Sequence, residues 1–278
     1  MRLGIHMPLK GGFAQNIKRV KEIGCDAVQI FPGNPTGWKM GVADPLEMEK
    51  RLISLHEQSI HPLVVHSAYL INLAATSDDF YEKSRQLLKA TMERAALYRS
   101  PYVVLHTGNH GGLGVGQGLA RIIETISSER SGWPVSVKLL LENTAGSGTA
   151  LGSRLEELAE IMHAFPRGAL GVCFDTAHAW GAGYDLGSAS ATELLLEQFE
   201  KLIGLDHLCV LHLNDSKAAC GSRVDRHDHI GLGAIGPECF RTLLRQPWPA
   251  DLPAILETPE IGSEWDRKNM ETLHSLLE

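Results

Sequence analysis

The chain has 278 residues, 44% of them hydrophobic and 21% charged, with a formal net charge of -7. That composition is globular rather than disordered, and no apolar run approaches the ~20 residues of a membrane-spanning helix. The acidic balance argues against a general polyanion binder unless divalent cations are bound, since three of them would bring the charge to about -1 and gather the positive charge at one place.

Taken in chain order, the first strand-like run is RLGIHM, and FAQNIKRVKEIG follows it with apolar residues at helical spacing. AVQIF and PLVVHS come next, before the long amphipathic stretch DDFYEKSRQLLKATMERAALY. PYVVLHT leads into the glycine-rich NHGGLGVGQG, which lacks the G-K-[ST] ending of a phosphate loop and reads as an ordinary strand-to-helix connection. VKLLLEN, the helical SRLEELAEIMHAF, ALGVCFDT, LCVLHLND and PAILET complete the series. Eight β-branched, apolar runs alternating with helical patterns predict one (β/α)8 barrel, a single domain over residues 1–278 with its active site at the carboxyl ends of the strands. An open doubly wound sheet is disfavoured, because no G-x-G-x-x-G turn follows the first run.

A polar residue closes each of the last six runs: His66, His106, Glu142, Asp175, His212 and Glu257. In a (β/α)8 barrel these ends converge on one face, so six possible metal ligands point at one pocket. Several carboxylates buried together without cations would cost many kcal/mol or be forced to protonate, which favours a polynuclear cation site. In DTAH, His178 lies one helical turn beyond Asp175, so the two can face different ions. In VDRHDH, Asp225 and His227 are spaced i, i+2 and share one face of an extended loop. These five histidines and four carboxylates, with no thiolate, suit about three zinc ions if one carboxylate bridges. Of the other histidines, His56, His61, His163, His207 and His274 are expected at the surface, and His6, His110 and His229 are candidates to support the ligands. Cys25, Cys173, Cys209, Cys220 and Cys239 are scattered and form no C-x-x-C, so no structural disulfide is expected. The start, MRLGIHMPLKGG, has no signal-peptide pattern, and a cytoplasmic protein is expected.

The strings VVHSAYLINLA, LENTAGSG, CFDTAHAWGAGYD and HLNDSKAACGSRVDRHDHIGLGAIG resemble the endonuclease IV family of apurinic/apyrimidinic endonucleases, and the match runs nearly end to end. The resemblance implies a (β/α)8 barrel holding three zinc ions. It assigns His66 and His106 to one ion, Asp175, His212 and Glu257 to a second, and His178, Asp225 and His227 to a third, with Glu142 bridging the first two. It further implies hydrolysis 5′ to an abasic site in double-stranded DNA, leaving a 3′-hydroxyl and a 5′-deoxyribose phosphate, and removal of blocked 3′ ends. Glu142 and Glu257 are the catalytic carboxylates on this reading, Glu257 orienting the nucleophile. Tyr69 and Leu70 match wedge residues that fill the space of a flipped-out abasic nucleotide. Asn34, in FPGNPTGW, lies in another DNA-contacting loop, where Thr36 replaces an arginine usual in the family and implies a weaker or differently built wedge. Lys217, Ser222, Arg223 and Arg226 flank the third ion's ligands as phosphate contacts. A monomer that uses no nucleotide cofactor and no membrane is expected.

A sugar isomerase or epimerase on a xylose isomerase-like barrel is the nearest alternative. It would use one ion held by Glu142, Asp175, His212 and Glu257, and it would leave His66, His106, His178, Asp225 and His227 without work. A DNA-binding protein with structural zinc is a third reading, opposed by the absence of cysteine ligands.

Overall fold

The computed structural model describes residues 1–277. Eight parallel strands form a closed barrel: β1 (Arg2–His6), β2 (Ala27–Ile30), β3 (Leu63–His66), β4 (Tyr102–His106), β5 (Lys138–Glu142), β6 (Gly171–Asp175), β7 (Leu208–His212) and β10 (Pro253–Leu256). Between the last two, β8 (Asp215–Ser216) and β9 (His227–Asp228) make a short antiparallel ladder. The helices are α1 (Phe13–Glu22), α2 (Pro45–Glu57), α3 (Asp78–Leu97), α4 (Val115–Glu129), α5 (Leu155–His163), α6 (Thr176–Ala182), α7 (Ala189–Leu202), α8 (Pro237–Leu244) and α9 (Glu264–Leu277). Each apolar run read from the sequence is a barrel strand, trimmed by a few residues at its ends. The glycine-rich NHGGLGVGQG connects β4 to α4, where His110 Nδ1 accepts from the Gly114 amide at 3.0 Å.

Strand alternation sorts the apolar residues into two cores. One face of each strand packs with the helices: Val28 and Ile30, Val103 and Leu105, Leu139 and Leu141 join Ile17 and Val20 of α1 and Leu88 and Met92 of α3. The other face builds a plug inside the barrel from Ala27, Val64, Val104, Leu140, Cys173, Val210 and Ile255. Two glycines make room for it. A Cβ on Gly4 would lie 2.8 Å from Ile255 Cδ1, and one on Gly171 would lie 2.7 Å from both Cys209 Sγ and Leu140 Cδ2. Burying each aliphatic side chain of this kind is worth roughly 1.5–3 kcal/mol, so the plug is a firm floor.

Two residues beyond that floor, the inward side chain of every strand is polar: His6, Gln29, His66, His106, Glu142, Asp175 and His212, with Glu257 one residue past the end of β10. The registers set His6 beside Gln29, His106 beside Glu142 and Asp175 beside His212. A register shift between Val172 and Cys173 precedes the last of these pairings.

Candidate metal centre

Glu142 occupies the middle of this polar layer and has no exposed surface. Its Oε2 lies 3.2 Å from His66 Nε2 and 3.0 Å from His106 Nε2. Its Oε1 faces other partners, 2.9 Å from His212 Nδ1 and 3.4 Å from His178 Nδ1. One carboxylate thus presents its two oxygens to separate donor sets. Beside it, His212 Nδ1 lies 3.2 Å from Glu257 Oε2 and 3.7 Å from Asp175 Oδ2.

On the far side, α6 turns His178 back toward the barrel, with Asp175 capping the helix by accepting from the His178 amide at 2.7 Å. The long segment after β8 docks against α6, because the amides of Gly221 and Arg223 donate to the carbonyls of Trp180 and Gly181 at 3.0 and 2.9 Å. The indole of Trp180 returns a bond to the Ala218 carbonyl at 2.9 Å. That docking brings Asp225 to 3.3 Å from both His178 Nε2 and His227 Nε2. His227 Nε2 also lies 3.7 Å from Asp175 Oδ2. All nine donors singled out in the sequence therefore surround one pocket. Asp175 belongs to two groups whose ligand atoms lie within 4.8 Å of one another, one with His178 and His227 and one with Glu142, His212 and Glu257, and His66, His106 and Glu142 form another.

The residues fit divalent cations. Among the described residues, His178 Nδ1 and His227 Nε2 are buried with no hydrogen-bond partner, a costly arrangement for a polar atom unless something else binds there. Two ligand atoms each ~2.1 Å from a tetrahedral ion lie ~3.4 Å apart, which matches the 3.2–3.4 Å separations between several of these nitrogens and oxygens. Electrostatics point the same way. Burial works against charge on every one of these groups, yet Glu142 and Glu257 are held well below the carboxylate range by surrounding imidazoles. Burial likewise opposes protonation of His106, His178 and His212, which are nonetheless held above the histidine range, His106 and His178 by facing carboxylates and His212 by the adjoining Cys173 sulfur together with Glu257 and Glu142. Asp225, burial notwithstanding, is drawn down to about 2 by His178 and His227. Without cations, imidazole protons must balance the buried carboxylates. Cys173 lies within ligand distance of Glu142 and His212, but burial in the plug pushes its thiol far up and keeps it neutral. All five cysteines are free.

Several supporting residues escaped the sequence reading. Asn143 accepts from the Asp175 amide at 2.7 Å and donates to its carbonyl at 2.9 Å. Asn214 donates to Asp175 Oδ2 at 2.6 Å and accepts from the Glu257 amide at 2.7 Å. Gln29 bridges His6, His212 and Glu257. A polar residue directly after a strand-end ligand was the available signal for Asn143, and a lone amide inside AVQIF was the signal for Gln29. Of the three supporting histidines considered, His6 reaches the centre, 3.5 Å from Glu257 Oε1. His110 serves its glycine loop, and His229 stacks on Trp265 with ring centroids 3.9 Å apart.

An open groove of about 660 Å³ leads to the donors, and Tyr69, Leu70, Asn72 and Asn109 line it together with His106, His178 and Asp225. Tyr69 is 56% exposed and rests edge-on against Phe31, its amide bonded to the Pro35 carbonyl at 3.1 Å. Asn34 and Thr36 are exposed on the adjoining turn, where Asn34 Oδ1 accepts from both the amide and the hydroxyl of Thr36 at 3.0 Å. Lys217, Ser222, Arg223 and Arg226 are all exposed on the segment that carries Asp225. No helix among the described residues is long and apolar enough to cross a membrane.

Comparison with known proteins agrees with this geometry. Residues 17–276 match the family described as xylose isomerase-like TIM barrels. A "probable endonuclease 4" of Natranaerobius thermophilus is 44% identical over 278 residues, covering 100% of this chain and 98% of the relative. A "probable endonuclease 4" of Cenarchaeum symbiosum is 38% identical over 99% of both chains. The crystal structure of endonuclease IV from Thermus thermophilus superimposes with a TM-score of 0.87 at 34% identity, covering 100% of this chain and 99% of the other. A D-psicose 3-epimerase, at 14% identity and a TM-score of 0.69, shares the barrel alone. With identities of this size along its whole length, a closed eight-stranded barrel and clustered metal-type donors at the strand ends, the chain belongs to the endonuclease IV family of apurinic/apyrimidinic endonucleases.

Proposed function

We propose that this chain is a zinc-dependent nuclease of base excision repair that hydrolyses the phosphodiester 5′ to an abasic site in duplex DNA, leaving a 3′-hydroxyl and a 5′-deoxyribose phosphate, and that also clears blocked 3′ ends. In this reading His66 and His106 hold one zinc, Asp175, His212 and Glu257 a second, and His178, Asp225 and His227 a third, with Glu142 shared between the first two. The observation that carries it is the divided Glu142 carboxylate, one oxygen toward His66 and His106 and the other toward His212 and His178. Zinc, when bound, supplies a water acidified toward neutrality and positive charge beside the phosphate.

The chain's own side chains do the rest. Glu257, tethered by Gln29 and facing His212, orients the attacking water. Tyr69 and Leu70 stand at the mouth of the groove, where they fill the stack left by a flipped-out abasic nucleotide. Lys217, Ser222, Arg223 and Arg226, with Asn34 on the turn after β2, contact the DNA backbone. The protein works as a cytoplasmic monomer. A single-ion sugar isomerase is disfavoured, because it would leave His66, His106, His178, Asp225 and His227 gathered at the same pocket for no purpose.

The test is incision of a duplex carrying one abasic site. The expected product is a nick on the 5′ side whose 3′ end a DNA polymerase extends directly. Intact abasic duplex, together with epimerisation of a ketohexose by the same preparation, would replace this reading with the isomerase.

A further inference from the structure

Gln29 is fully buried at the inward face of β2, between side chains from three other strands or strand ends. Its Nε2 lies 2.7 Å from Glu257 Oε1 and 3.1 Å from His6 Nδ1, while its Oε1 lies 2.9 Å from His212 Nε2. An amide donates at one end and accepts at the other, whereas an ionised carboxylate only accepts. The NH2 end therefore faces Glu257, and the oxygen accepts from His212 Nε2–H. The same NH2 group makes His6 Nδ1 an acceptor, so that ring carries its proton on Nε2. With its Nε2 proton committed to Gln29, His212 turns Nδ1 toward Glu142, Glu257 and Asp175, at 2.9, 3.2 and 3.7 Å.

We propose that Gln29 is a positioning residue for the metal centre: its amide fixes His212 as an Nδ1 donor and holds Glu257 by one oxygen, leaving the other oxygen to ligate. The proposal rests on the zinc reading above and concerns a residue that touches neither zinc nor DNA. A metal-binding histidine usually donates its far N–H to a carboxylate, carbonyl or water. Here a neutral side chain does so, which adds no negative charge to a pocket already holding Glu142, Asp175, Asp225 and Glu257. A carboxylate at position 29 would instead oppose Glu257 Oε1 with like charge. Barrel closure makes the arrangement possible, since β1 separates β2 from β10 and His212 comes from the strand beyond.

Gln29→Met keeps the length of the side chain and removes both its donor and its acceptor. Three properties are read in the wild type and the variant: zinc affinity by competition with a chelator, kcat and KM for abasic duplex, and nitrogen-15 NMR of the histidine rings. In the zinc-loaded wild type, His212 shows a slowly exchanging Nε2–H and a metal-shifted Nδ1. In Gln29→Met that N–H signal is lost and one zinc binds about 10- to 100-fold more weakly. Incision falls through kcat with KM little changed, because position 29 does not reach DNA. A wild-type His212 protonated on Nδ1 and ligating through Nε2 would overturn the proposal, even if the variant failed to fold. So would a folded variant with wild-type zinc affinity and kcat. A wild-type protein that takes up no zinc would instead sink the zinc reading, and the His212 Nε2–H bonded to Gln29 would still be required in the metal-free protein.

Discussion

His106 Nε2 lies 3.0 Å from Glu142 Oε2, across a β4–β5 register that sets the two residues side by side. The other oxygen of Glu142 stands 2.9 Å from His212 Nδ1, so the carboxylate joins two donor sets. Glu142→Gln keeps the size and removes the shared charge. Zinc per chain should fall, and incision should drop by more than the about 10- to 100-fold typical of residues that only support a ligand. Elemental analysis and single-turnover kinetics check this; an unchanged zinc count would remove Glu142 from its bridging place.

Asp225 and His227 sit on a segment whose backbone is already fastened to α6 through Trp180 and Gly181. Replacing both side chains by alanine should therefore cost one zinc and most of the activity while the barrel stays folded. Circular dichroism and a melting curve of the metal-free protein follow the fold, and zinc analysis follows the centre. Wild-type cutting by the double variant would show that this segment does not carry a functional ion.

Removing the metal should change how stability depends on pH. In the metal-free protein the raised pKa values of His106, His178 and His212 contribute stability that is fully present below the unfolded value of about 6.5 and is lost as pH climbs through the folded values. The lowered values of Glu142 and Glu257 contribute stability present above about 4.3 and lost as pH falls through the folded values. The chelated protein should thus be most stable between about 4.3 and 6.5 and weaken as pH rises above that window. Zinc-loaded protein should not weaken over that alkaline range. Parallel curves for the two forms would contradict the exchange of imidazole protons for cations.

Tyr69 and Leu70 should separate recognition from chemistry. Both line the groove beside His106, and Tyr69 rests edge-on against Phe31 rather than donating to any ligand. Replacing both by alanine should weaken binding to abasic duplex by roughly 2–4 kcal/mol, given about 1–3 kcal/mol per base–aromatic stack, and leave the zinc content unchanged. A nicked duplex with a blocked 3′ end should lose less, because an interrupted strand opens more easily. Equal losses on both substrates would make these residues loop packing.

The parts of this design that the sequence displays are those set by strand periodicity. Each barrel strand is an apolar run, and His66, His106, Glu142, Asp175 and His212 end their strands in phase with the inward face. Asp225 and His227 announce themselves as donors in a polar, glycine-rich segment. Gln29 does not, because its partners His212 and Glu257 are 183 and 228 residues away and meet it only when β1 pairs with both β2 and β10. His229 misleads for the same reason. It lies two residues from His227, yet its buried ring stacks on Trp265 of α9. The short reach of Asp175 to both His178 and His227 likewise depends on α6 and the segment after β8 packing together, which no local spacing encodes.

The number of ions that the nine donors hold decides whether this is a polynuclear centre. The direct measurement is elemental analysis of gently purified protein, with no metal added, on the same preparation that incises abasic duplex. About three divalent ions per chain, mostly zinc, are predicted. One ion per chain in a fully active preparation would contradict it.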